Sequence, residues 1–243
     1  MSTRTILVTG ANGGLGQAIA RAFLNESKQN FVWLGLHRNR ARAEGLAAEF
    51  PEQCRPLPLD VTQSAAWKEA MAIVEQEHGK LDVLVNNAGH HEDHLLATMP
   101  ESAWRGTLSA NLDAVFHGCQ AVLPGMIAQR SGRIINIASL SALLAPAGQT
   151  NYAAAKAGVV ALTQSLAKEV ARIGITVNAV CPGFIDTEAL LGMPEEQRRQ
   201  ARQNIPMRRF GTPAEVAAVV RFLATAEAGY ITGAALKIDG GIF

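Results

Sequence analysis

Short runs of consecutive apolar residues recur along the chain, and stretches with helical periodicity, such as Leu15–Asn25 and Val159–Arg172, separate them. Apolar residues at consecutive positions are typical of strands that are buried on both faces, as in a parallel sheet. The seven runs that we predict as strands are Thr5–Thr9, Phe31–Leu36, Arg55–Leu59, Leu81–Asn86, Gly132–Ala138, Thr176–Cys181 and Ala235–Ile238. The pattern therefore predicts alternating strands and helices along the whole chain.

This alternation indicates an α/β fold, in which helices cover both faces of a seven-stranded parallel sheet. The length of 243 residues suits one domain, which we expect to span residues 1–243, because two domains would each be small. One segment does not return promptly to the sheet after the sixth strand. We predict a lid or substrate loop there, over residues 184–207.

The composition is that of an ordinary soluble globular protein, with 48% hydrophobic and 18% charged residues. A net charge of +1 provides no general attraction to nucleic acid or to a membrane surface, and we expect neither partner. Cys54, Cys119 and Cys181 form no CxxC pair, and such a sparse set favours a reducing compartment. The first apolar run, Ile6–Val8, is too short for a secretory signal or a membrane span. We therefore expect a cytoplasmic protein.

A glycine-rich segment, Thr9–Gly16, follows the first predicted strand and opens a helix. Glycines allow a sharp turn and a close approach of the backbone to a pyrophosphate, which the free N–H groups of the helix N-terminus then bind. A tight strand-to-helix turn is the alternative, but the position between a strand and a helix favours dinucleotide binding. The contacts to the cofactor that we predict here are Thr9, Gly10, Asn12, Gly14, Leu15 and Gly16.

The end of the second strand predicts which nicotinamide cofactor is bound. An acidic residue at this position binds the ribose 2′-hydroxyl of NAD, whereas an arginine accommodates the 2′-phosphate of NADP. The strand ends in His37-Arg38-Asn39-Arg40, which contains two guanidinium groups and no carboxylate. We therefore predict NADP(H), with Arg38 at the 2′-phosphate. Solvated charges at the start of a helix are the alternative interpretation of the two arginines.

Tyr152 and Lys156 are four residues apart and would share one face of a helix. A phenol has a pKa of about 10 and exchanges protons poorly at neutral pH, but a close ammonium group favours the phenolate and lowers that pKa. Such a tyrosine can act as general acid in the reduction of a carbonyl group and as general base in the reverse reaction. Taken alone, the motif could also be a surface pair of side chains.

Two further polar residues precede this pair along the chain. Ser139 closes the fifth predicted strand, thirteen positions before Tyr152, where its hydroxyl could hold the oxygen of a substrate carbonyl. Asn111 lies within a predicted helix, although asparagine is a poor helix former. In isolation the serine would be a cap or turn residue, and the asparagine would be a buried amide with satisfied hydrogen bonds.

The TGxxxGxG loop and the set Asn111, Ser139, Tyr152 and Lys156 resemble, in order and spacing, the motifs of the short-chain dehydrogenase/reductase family. The resemblance covers nearly the whole chain and implies one Rossmann-type, doubly wound domain. It also implies that these four residues form a catalytic tetrad. In such enzymes the lysine contacts the nicotinamide ribose, and the asparagine kinks its helix and holds a water in a proton relay to the lysine.

The resemblance implies further contacts to the cofactor after the later strands. An acidic residue and its neighbour after the third strand lie beside the adenine ring, and an Asn-Asn-Ala-Gly segment after the fourth lies close to the cofactor. After the sixth strand, backbone groups and a threonine hydroxyl hold the nicotinamide carboxamide. The residues at these positions are Asp60, Val61, Asn87, Ala88, Gly89, Pro182, Gly183, Ile185 and Thr187, in addition to Tyr152 and Lys156.

Within the family, the chain is most similar to β-ketoacyl-[acyl-carrier-protein] reductases, in the stretches Gly148–Gly158 and Gly174–Val180. This similarity implies an NADPH-dependent oxidoreductase that reduces a 3-oxoacyl thioester on acyl carrier protein. Another ketone or alcohol substrate without a carrier protein stays open, as does an NADP-binding regulatory protein without turnover. Relatives form homotetramers, and the segments that match their interfaces are Leu108–Ala128, Asn151–Arg172 and Ala235–Phe243.

Two features depart from close relatives. His90-His91-Glu92-Asp93 replaces Ile-Thr-Arg-Asp after the Asn-Asn-Ala-Gly segment and continues into His94, and Gly13 stands where many NADP-dependent relatives carry a basic residue. Imidazoles and carboxylates suit zinc or nickel. However, the run aligns with a loop at the rim of the active site in relatives that bind no metal there. We therefore predict no metal site.

A carrier protein is acidic, so a reductase that serves it needs basic residues beside the mouth of the active site. We predict that these residues lie at helix ends and on the lid, as Arg130, Arg172, Arg198, Arg199 and Arg202. The alternative is that the arginines solvate helical faces and pair with Glu195 and Glu196.

Overall fold

The predicted strands form one parallel sheet in the structure, a computed structural model that describes residues 3–243 apart from the side chains of Ala189 and Leu191. The strands are β1 (Arg4–Thr9), β2 (Asn30–Leu36), β3 (Cys54–Pro58), β4 (Val83–Asn86), β5 (Gly132–Ile137), β6 (Ile175–Pro182) and β7 (Ala235–Ile238). All predicted strand boundaries agree with these to within two residues. The α/β fold with a seven-stranded parallel sheet is thereby confirmed.

Helices cover both faces of this sheet. They are α1 (Gly14–Glu26), α2 (Ala41–Glu49), α3 (Ser64–His78), α4 (Glu101–Leu108), α5 (Ala114–Ala128), α6 (Ser141–Leu144), α7 (Thr150–Val170), α8 (Glu188–Leu191), α9 (Glu195–Asn204) and α10 (Pro213–Leu223). Trp67 and Val159 lie in the core beneath α3, α5 and α7, and Phe23 and Val220 lie in the core beneath α1, α2 and α10. Within residues 3–243, no helix has both the length and the apolar character needed to cross a membrane.

The strand order β3-β2-β1-β4-β5-β6-β7 places β1 between β2 and β4, where the direction of winding reverses. In open α/β sheets, ligands bind in the crevice outside the carboxyl ends of the strands at this switch point. The chain leaves the sheet there at Gly10 after β1, Asn87 after β4 and Ser139 after β5. Predicted site residues from three separate parts of the chain therefore meet at one edge of the sheet.

The predicted lid, residues 184–207, is not an unstructured loop but contains the helices α8 and α9. The sequence of α9 lacks an apolar face, and ion pairs within one or two turns stabilise it instead, between Glu195 and Arg202 and between Glu196 and Arg199. Its ends are anchored by a small apolar cluster that includes Leu190, Ile205 and Phe210. The segment thus has a local structure of its own at the edge of the sheet.

Candidate active site

The glycine loop packs so closely that two of its glycines leave no room for a side chain. Gly10 has φ +64°, and a Cβ atom there would lie 2.9 Å from the Cα of Ala88. A Cβ atom on Gly16 would lie 2.4 Å from the carbonyl oxygen of Gly10. Glycine is therefore required for the turn between β1 and α1, and the same turn directs the free N–H groups of α1 towards the crevice.

Three predicted contacts to the cofactor form hydrogen bonds that shape this loop. The Thr9 hydroxyl accepts hydrogen bonds from the backbone N–H groups of Asn87 (2.9 Å) and Ala88 (3.0 Å), which joins β1 to β4. The Asn87 amide donates to the carbonyl oxygen of Thr9 at 2.8 Å. The Asn12 side chain accepts a hydrogen bond from the N–H of Arg42 (3.0 Å) and thus caps α2. These side chains hold the loop in the shape that a dinucleotide would need.

A groove of about 700 Å³ runs along the carboxyl ends of the strands, from the glycine loop to Tyr152. The predicted residues that line it are Gly10, Asn12, Gly14, Leu15, Gly16, Arg38, Asn87, Ala88, Gly89, Asn111, Ser139, Tyr152, Lys156, Pro182, Gly183, Ile185 and Thr187. Thr9 is fully buried behind it, and Asp60 and Val61 lie outside its lining. The size and the mixed apolar and polar lining are those of a cofactor site.

The end of the groove beyond β2 carries both charges and polar side chains. Arg38 lines it between His37 and Asn39, whereas Arg40 does not. The Asp60 carboxylate lies behind His37, with its Oδ2 atom 3.6 Å from Nε2 of that residue. Burial raises the pKa of Asp60, but hydrogen bonds from Thr62 and the positive charges of His37 and Arg38 together hold that pKa below its usual value.

The sequence analysis did not identify Glu188, which lines this groove, or its partner Arg42. The Arg42 guanidinium is 2.5 Å from the carboxylate of Glu188, a residue of α8 that lies 146 positions further along the chain. The pKa of Glu188 is held below its usual value by a hydrogen bond from its own backbone N–H, by Arg42 and by the N–H of Gly14. A contact over such a distance leaves no local pattern in the sequence.

Tyr152, Ser139 and Lys156 converge at the other end of the groove. Tyr152 lies on the first turn of α7 and shares a hydrogen bond with the Ser139 hydroxyl, which itself accepts the N–H of Ser141 at 3.1 Å. The Lys156 Nζ atom is 5.6 Å from the centre of the Tyr152 ring and donates to the carbonyl oxygen of Ile137 at 2.8 Å. The predicted side chains are therefore in contact at the end of β5.

The prediction that lysine lowers the pKa of Tyr152 is wrong in this structure. Burial raises the pKa of Tyr152 and outweighs the hydrogen bond from Ser139, which lowers it. Burial also lowers the pKa of Lys156 to about 8, because the low-dielectric interior disfavours the charged form of either group. The lysine remains predominantly protonated at pH 7, and one of its N–H groups donates to the carbonyl oxygen of Ile137.

Asn111 interrupts the helix in the predicted way. Residues Ser109–Asp113 form a π-helical turn between α4 and α5, and the Asn111 amide donates to the carbonyl oxygens of His90 (2.7 Å) and Thr107 (2.9 Å). Its Oδ1 atom is buried and has no hydrogen-bond partner among the described residues. A Cβ atom on Gly89 would lie 2.4 Å from this Oδ1 atom and 3.5 Å from Nζ of Lys156. The two polar groups thus border the same small space beside Gly89.

Asn151 and Gln149 also belong to the site, although the sequence analysis did not single them out. The fully buried Asn151 amide donates to the carbonyl oxygen of Glu92 (3.0 Å) and the Thr107 hydroxyl (3.1 Å) and fixes the start of α7. Gln149 accepts the Ser141 hydroxyl at 2.8 Å. Polar residues at the N-terminus of the helix that carries Tyr152 were the available signal, but their partners are distant in sequence.

The run His90–His94 forms part of the rim beside Tyr152. The ring centres of His91 and Tyr152 are 5.7 Å apart, and Nε2 of His94 lies 2.9 Å from the Glu92 carboxylate. In the part of the chain that the structure describes, histidines, cysteines and carboxylates form no group of three that could hold a metal ion. His90 and His91 instead line the groove, and His94 pairs with Glu92.

The predicted location of the basic residues is wrong for two of them. Arg130 precedes β5 and Arg172 precedes β6, so both lie at the amino ends of the strands, whereas Ser139 follows the carboxyl end of β5. A six-residue strand separates these edges by about 20 Å. The arginines of α9 are paired with Glu195 and Glu196, as the alternative interpretation expected. None of the five arginines lines the groove.

Comparisons with known proteins give matches over almost the whole chain. The family model described as Enoyl-(Acyl carrier protein) reductase matches residues 10–242. The 3-oxoacyl-[acyl-carrier-protein] reductase FabG of Thermotoga maritima is 43% identical over 248 residues, which cover 98% of this chain and 97% of that protein. The protein of the same name from Vibrio harveyi is 40% identical, with coverage of 98% and 96%. Nodulation protein G of Azospirillum brasilense is 39% identical, with coverage of 100% and 99%.

These matches extend over almost the full length of the chain and of its relatives, and they accompany a parallel sheet, a glycine loop and the four side chains of the predicted tetrad. The chain therefore belongs to the short-chain dehydrogenase/reductase family of oxidoreductases.

Proposed function

We propose that this protein uses NADPH to reduce the 3-oxo group of an acyl thioester carried by acyl carrier protein, which yields the 3-hydroxyacyl form. The observation that carries this proposal is the shared hydrogen bond of Ser139 and Tyr152, two hydroxyl groups at the end of a groove that begins at the glycine loop. Two converging hydroxyls suit one carbonyl oxygen. The names of the relatives from Thermotoga maritima and Vibrio harveyi support the choice of substrate.

NADPH supplies the hydride, and the residues of this chain supply position and protons. Ser139 holds the carbonyl oxygen, and Tyr152 donates a proton to that oxygen as negative charge develops on it. Lys156 is held by the carbonyl oxygen of Ile137 and keeps its other N–H groups for the ribose of the cofactor. The unpartnered Oδ1 atom of Asn111 beside Lys156 fits a water through which the proton on Tyr152 is replaced.

The residues at the far end of the groove fit NADPH better than NADH. Arg38 lines the groove, and Asp60 is engaged by His37 and Thr62. We expect kcat/KM to be at least about tenfold higher with NADPH, because a guanidinium group binds a phosphate through charge-assisted hydrogen bonds. Arg38→Asp should move the preference towards NADH. Equal efficiency of the wild-type protein with both nucleotides would remove the support for phosphate recognition.

We also propose a homotetramer, with a carrier protein as partner, in the cytoplasm. Phe116 and Ile127 are exposed on α5, and Phe243 is exposed at the end of the chain, within two of the predicted interface segments. If α7 packs antiparallel to its copy across a two-fold axis, Arg172 of one chain comes near the active-site edge of the partner chain. Sedimentation analysis should give the mass of four chains, and a monomer at micromolar concentration would contradict the proposal.

The deciding experiment compares three substrates at one enzyme concentration: a 3-oxoacyl thioester on carrier protein, the same acyl group on a small thiol, and a free cyclic ketone. We expect the first to give the highest kcat/KM and to lose most when salt rises, because charge attraction accelerates its docking. Arg172→Glu should lower kcat/KM for that substrate alone, because only the carrier protein would contact this residue. Higher activity on the free ketone would select the reductase that needs no carrier.

A second candidate function is reduction of the carbon–carbon double bond of an enoyl thioester, which the description of the matching family model favours. The geometry favours the carbonyl group, because the hydroxyl groups of Ser139 and Tyr152 lie within hydrogen-bond reach of each other, so that one carbonyl oxygen can contact both. A trans-2-enoyl thioester therefore belongs in the same assay. NADPH oxidation with the enoyl thioester and not with the 3-oxoacyl thioester would overturn the assignment.

A further inference from the structure

A carboxylate of the lid occupies the N-terminus of α1. Glu188 begins α8, and its carboxylate accepts a hydrogen bond from the N–H of Gly14, the first residue of α1. A Cβ atom on Gly14 would lie 2.7 Å from the Oε2 atom of Glu188. Helix α1 has 13 residues, and the partial positive charge at its N-terminus attracts anions. This is the position at which the glycine loop would hold a phosphate group of the cofactor.

The other oxygen of the same carboxylate binds Arg42. The Oε1 atom of Glu188 is 2.5 Å from Nη1 of Arg42. The Asn12 side chain accepts the N–H groups of Arg42 and Ala43 and so ties the start of α2 to the glycine loop. A backbone N–H and a guanidinium group therefore face the same anion from two sides. Phosphate oxygens and carboxylate oxygens accept from this pair of donors in the same way.

We infer that the Glu188 carboxylate stands where a phosphate group of the dinucleotide binds, and that Arg42 is a further phosphate-binding residue, so that the cofactor must displace Glu188. This inference rests on the proposed use of a nicotinamide dinucleotide. The two anions cannot share the site, because the carboxylate already fills the space directly against Gly14.

The contact to Gly14 indicates which phosphate is involved. The N–H groups that open α1 bind the pyrophosphate in dinucleotide folds, and both NADPH and NADH contain a pyrophosphate. The 2′-phosphate, by contrast, occurs in NADPH alone. We therefore expect Glu188 to compete with both nucleotides to a similar extent, and a comparison of the two nucleotides distinguishes the sources of the phosphate group.

The test is the dissociation constant of NADPH and of NADH, measured by calorimetry on the intact protein without substrate. Glu188→Gln removes the competing charge and should tighten both nucleotides by about two- to fivefold, as expected for the loss of a partly exposed ion pair. Arg42→Met should weaken both. Thermal melting of each variant checks that it is folded, which we expect because both side chains are about half exposed (49% and 52%).

The ion pair between Arg21 and Glu49 provides a matched control. It has the same N–O distance of 2.5 Å and similar exposure, at 44% and 50%, but it lies outside the groove. Glu49→Gln should leave both dissociation constants unchanged, because it alters the net charge by the same amount at another place. A change equal to that of Glu188→Gln would mean that net charge alone is responsible, which overturns the inference.

The remaining outcomes also separate the possibilities. Unchanged or weaker nucleotide binding by Glu188→Gln would overturn the stand-in role of the carboxylate. Tighter binding by Arg42→Met would mean that Arg42 only holds Glu188 in place, which overturns its role at the phosphate. Effects confined to NADPH would mean that the 2′-phosphate, and not the pyrophosphate, displaces Glu188. If the wild-type protein binds neither nucleotide, the proposed function itself fails, whereas failure of the inference leaves wild-type binding intact.

Discussion

The helix that carries Tyr152 and the lid that carries Glu188 border the same groove, but they are held in opposite ways. Nine of the 21 residues of α7 are buried, and they include the polar side chains of Asn151, Lys156 and Thr163. In α9, by contrast, none of residues 195–204, all of which the structure describes, is buried. Helix α7 is fixed by the core of the protein, whereas α9 is held by surface ion pairs and by the cluster at its ends.

Buried hydrogen bonds explain how α7 is fixed. A chain of side chains runs from Asn86 of β4 to Asn136 of β5 (2.9 Å) and on to Thr163 of α7 (2.9 Å). Each of these bonds would leave a buried polar group unpaired if it broke, which is costly. The comparison therefore indicates that the residues of the proton chemistry are held rigidly, while Glu188 and the other lid residues at the groove lie on a segment that can open at low cost in free energy.

The largest effect, on kcat, is expected from the loss of the Tyr152 hydroxyl group on α7. Tyr152→Phe should lower kcat by about 100-fold to 10,000-fold, because it removes the hydroxyl group that protonates the developing alkoxide. NADPH binding, measured by calorimetry, should stay unchanged. Tyr230 is the other tyrosine of the chain and is fully exposed, so Tyr230→Phe is the matched control. A Tyr152→Phe variant that keeps more than about one tenth of wild-type kcat would refute the role of Tyr152.

The same substitution in the two regions should separate global from local stability. Ile135 of β5 is 1% exposed and Ile205 after α9 is 2% exposed, so both side chains are buried to the same extent. Ile135→Ala should lower the free energy of unfolding by about 2–5 kcal/mol. Ile205→Ala should lower it far less, because only the small cluster with Leu190 and Phe210 is disturbed, but it should raise KM for NADPH.

Denaturant unfolding and steady-state kinetics on both isoleucine variants check this prediction. An equal loss of global stability would mean that the lid is as firmly integrated in the fold as the sheet, and the comparison would fail. An unchanged KM in the Ile205→Ala variant would mean that the lid does not contribute to cofactor binding.

The features that the sequence predicted well are those that depend on neighbours along the chain. Runs of apolar residues identified the strands of the sheet, because a strand that is buried on both faces, such as β2, is apolar at most positions. The spacing of Tyr152 and Lys156 placed both on one helical face, and the glycine loop followed from the strand before it. A kink of the helix at Asn111 was likewise expected, although on the basis of the family resemblance, and the structure has a π-helical turn there.

The features that the sequence missed depend on contacts between distant residues or on burial. The pairing of Arg42 with Glu188 joins two helices that are not adjacent in sequence. Burial reversed the expected shift in the pKa of Tyr152, and a local motif gives no measure of burial. The arginines before β5 and β6 were expected beside the active site because a carrier protein is acidic, but they lie at the opposite end of those strands.

A smaller effect is expected from Asn151, which connects the start of α7 to the rim. Asn151→Ala should lower the free energy of unfolding by about 1–3 kcal/mol, because it leaves buried partners without a hydrogen bond. It should also lower kcat and leave NADPH binding unchanged, because Tyr152 follows Asn151 directly and loses its fixed position. Asn204→Ala, at the exposed end of α9, is the control on the lid and should change neither quantity. A loss of stability without any loss of kcat would make Asn151 purely structural.

The smallest effect concerns the buried ammonium group of Lys156 on α7. Burial lowers the pKa of Lys156 from 10.5 to about 8. Between pH 8 and pH 10.5, the lysine is therefore mostly protonated in the unfolded chain and mostly neutral in the folded protein. The free energy of unfolding rises with pH wherever the unfolded state binds more protons. The destabilisation by the buried ammonium group is therefore fully present below pH 8 and decreases as the pH rises from 8 towards 10.5. Relative to Lys156→Met, the wild-type protein should gain on the order of 1 to 2 kcal/mol of stability between pH 7 and pH 10. Denaturant unfolding at several pH values measures the difference, and Lys168→Met, at an exposed position of the same helix, should show no such trend. A difference that is constant over this range would mean that water reaches Lys156 and that α7 is less rigidly enclosed than the comparison with the lid requires.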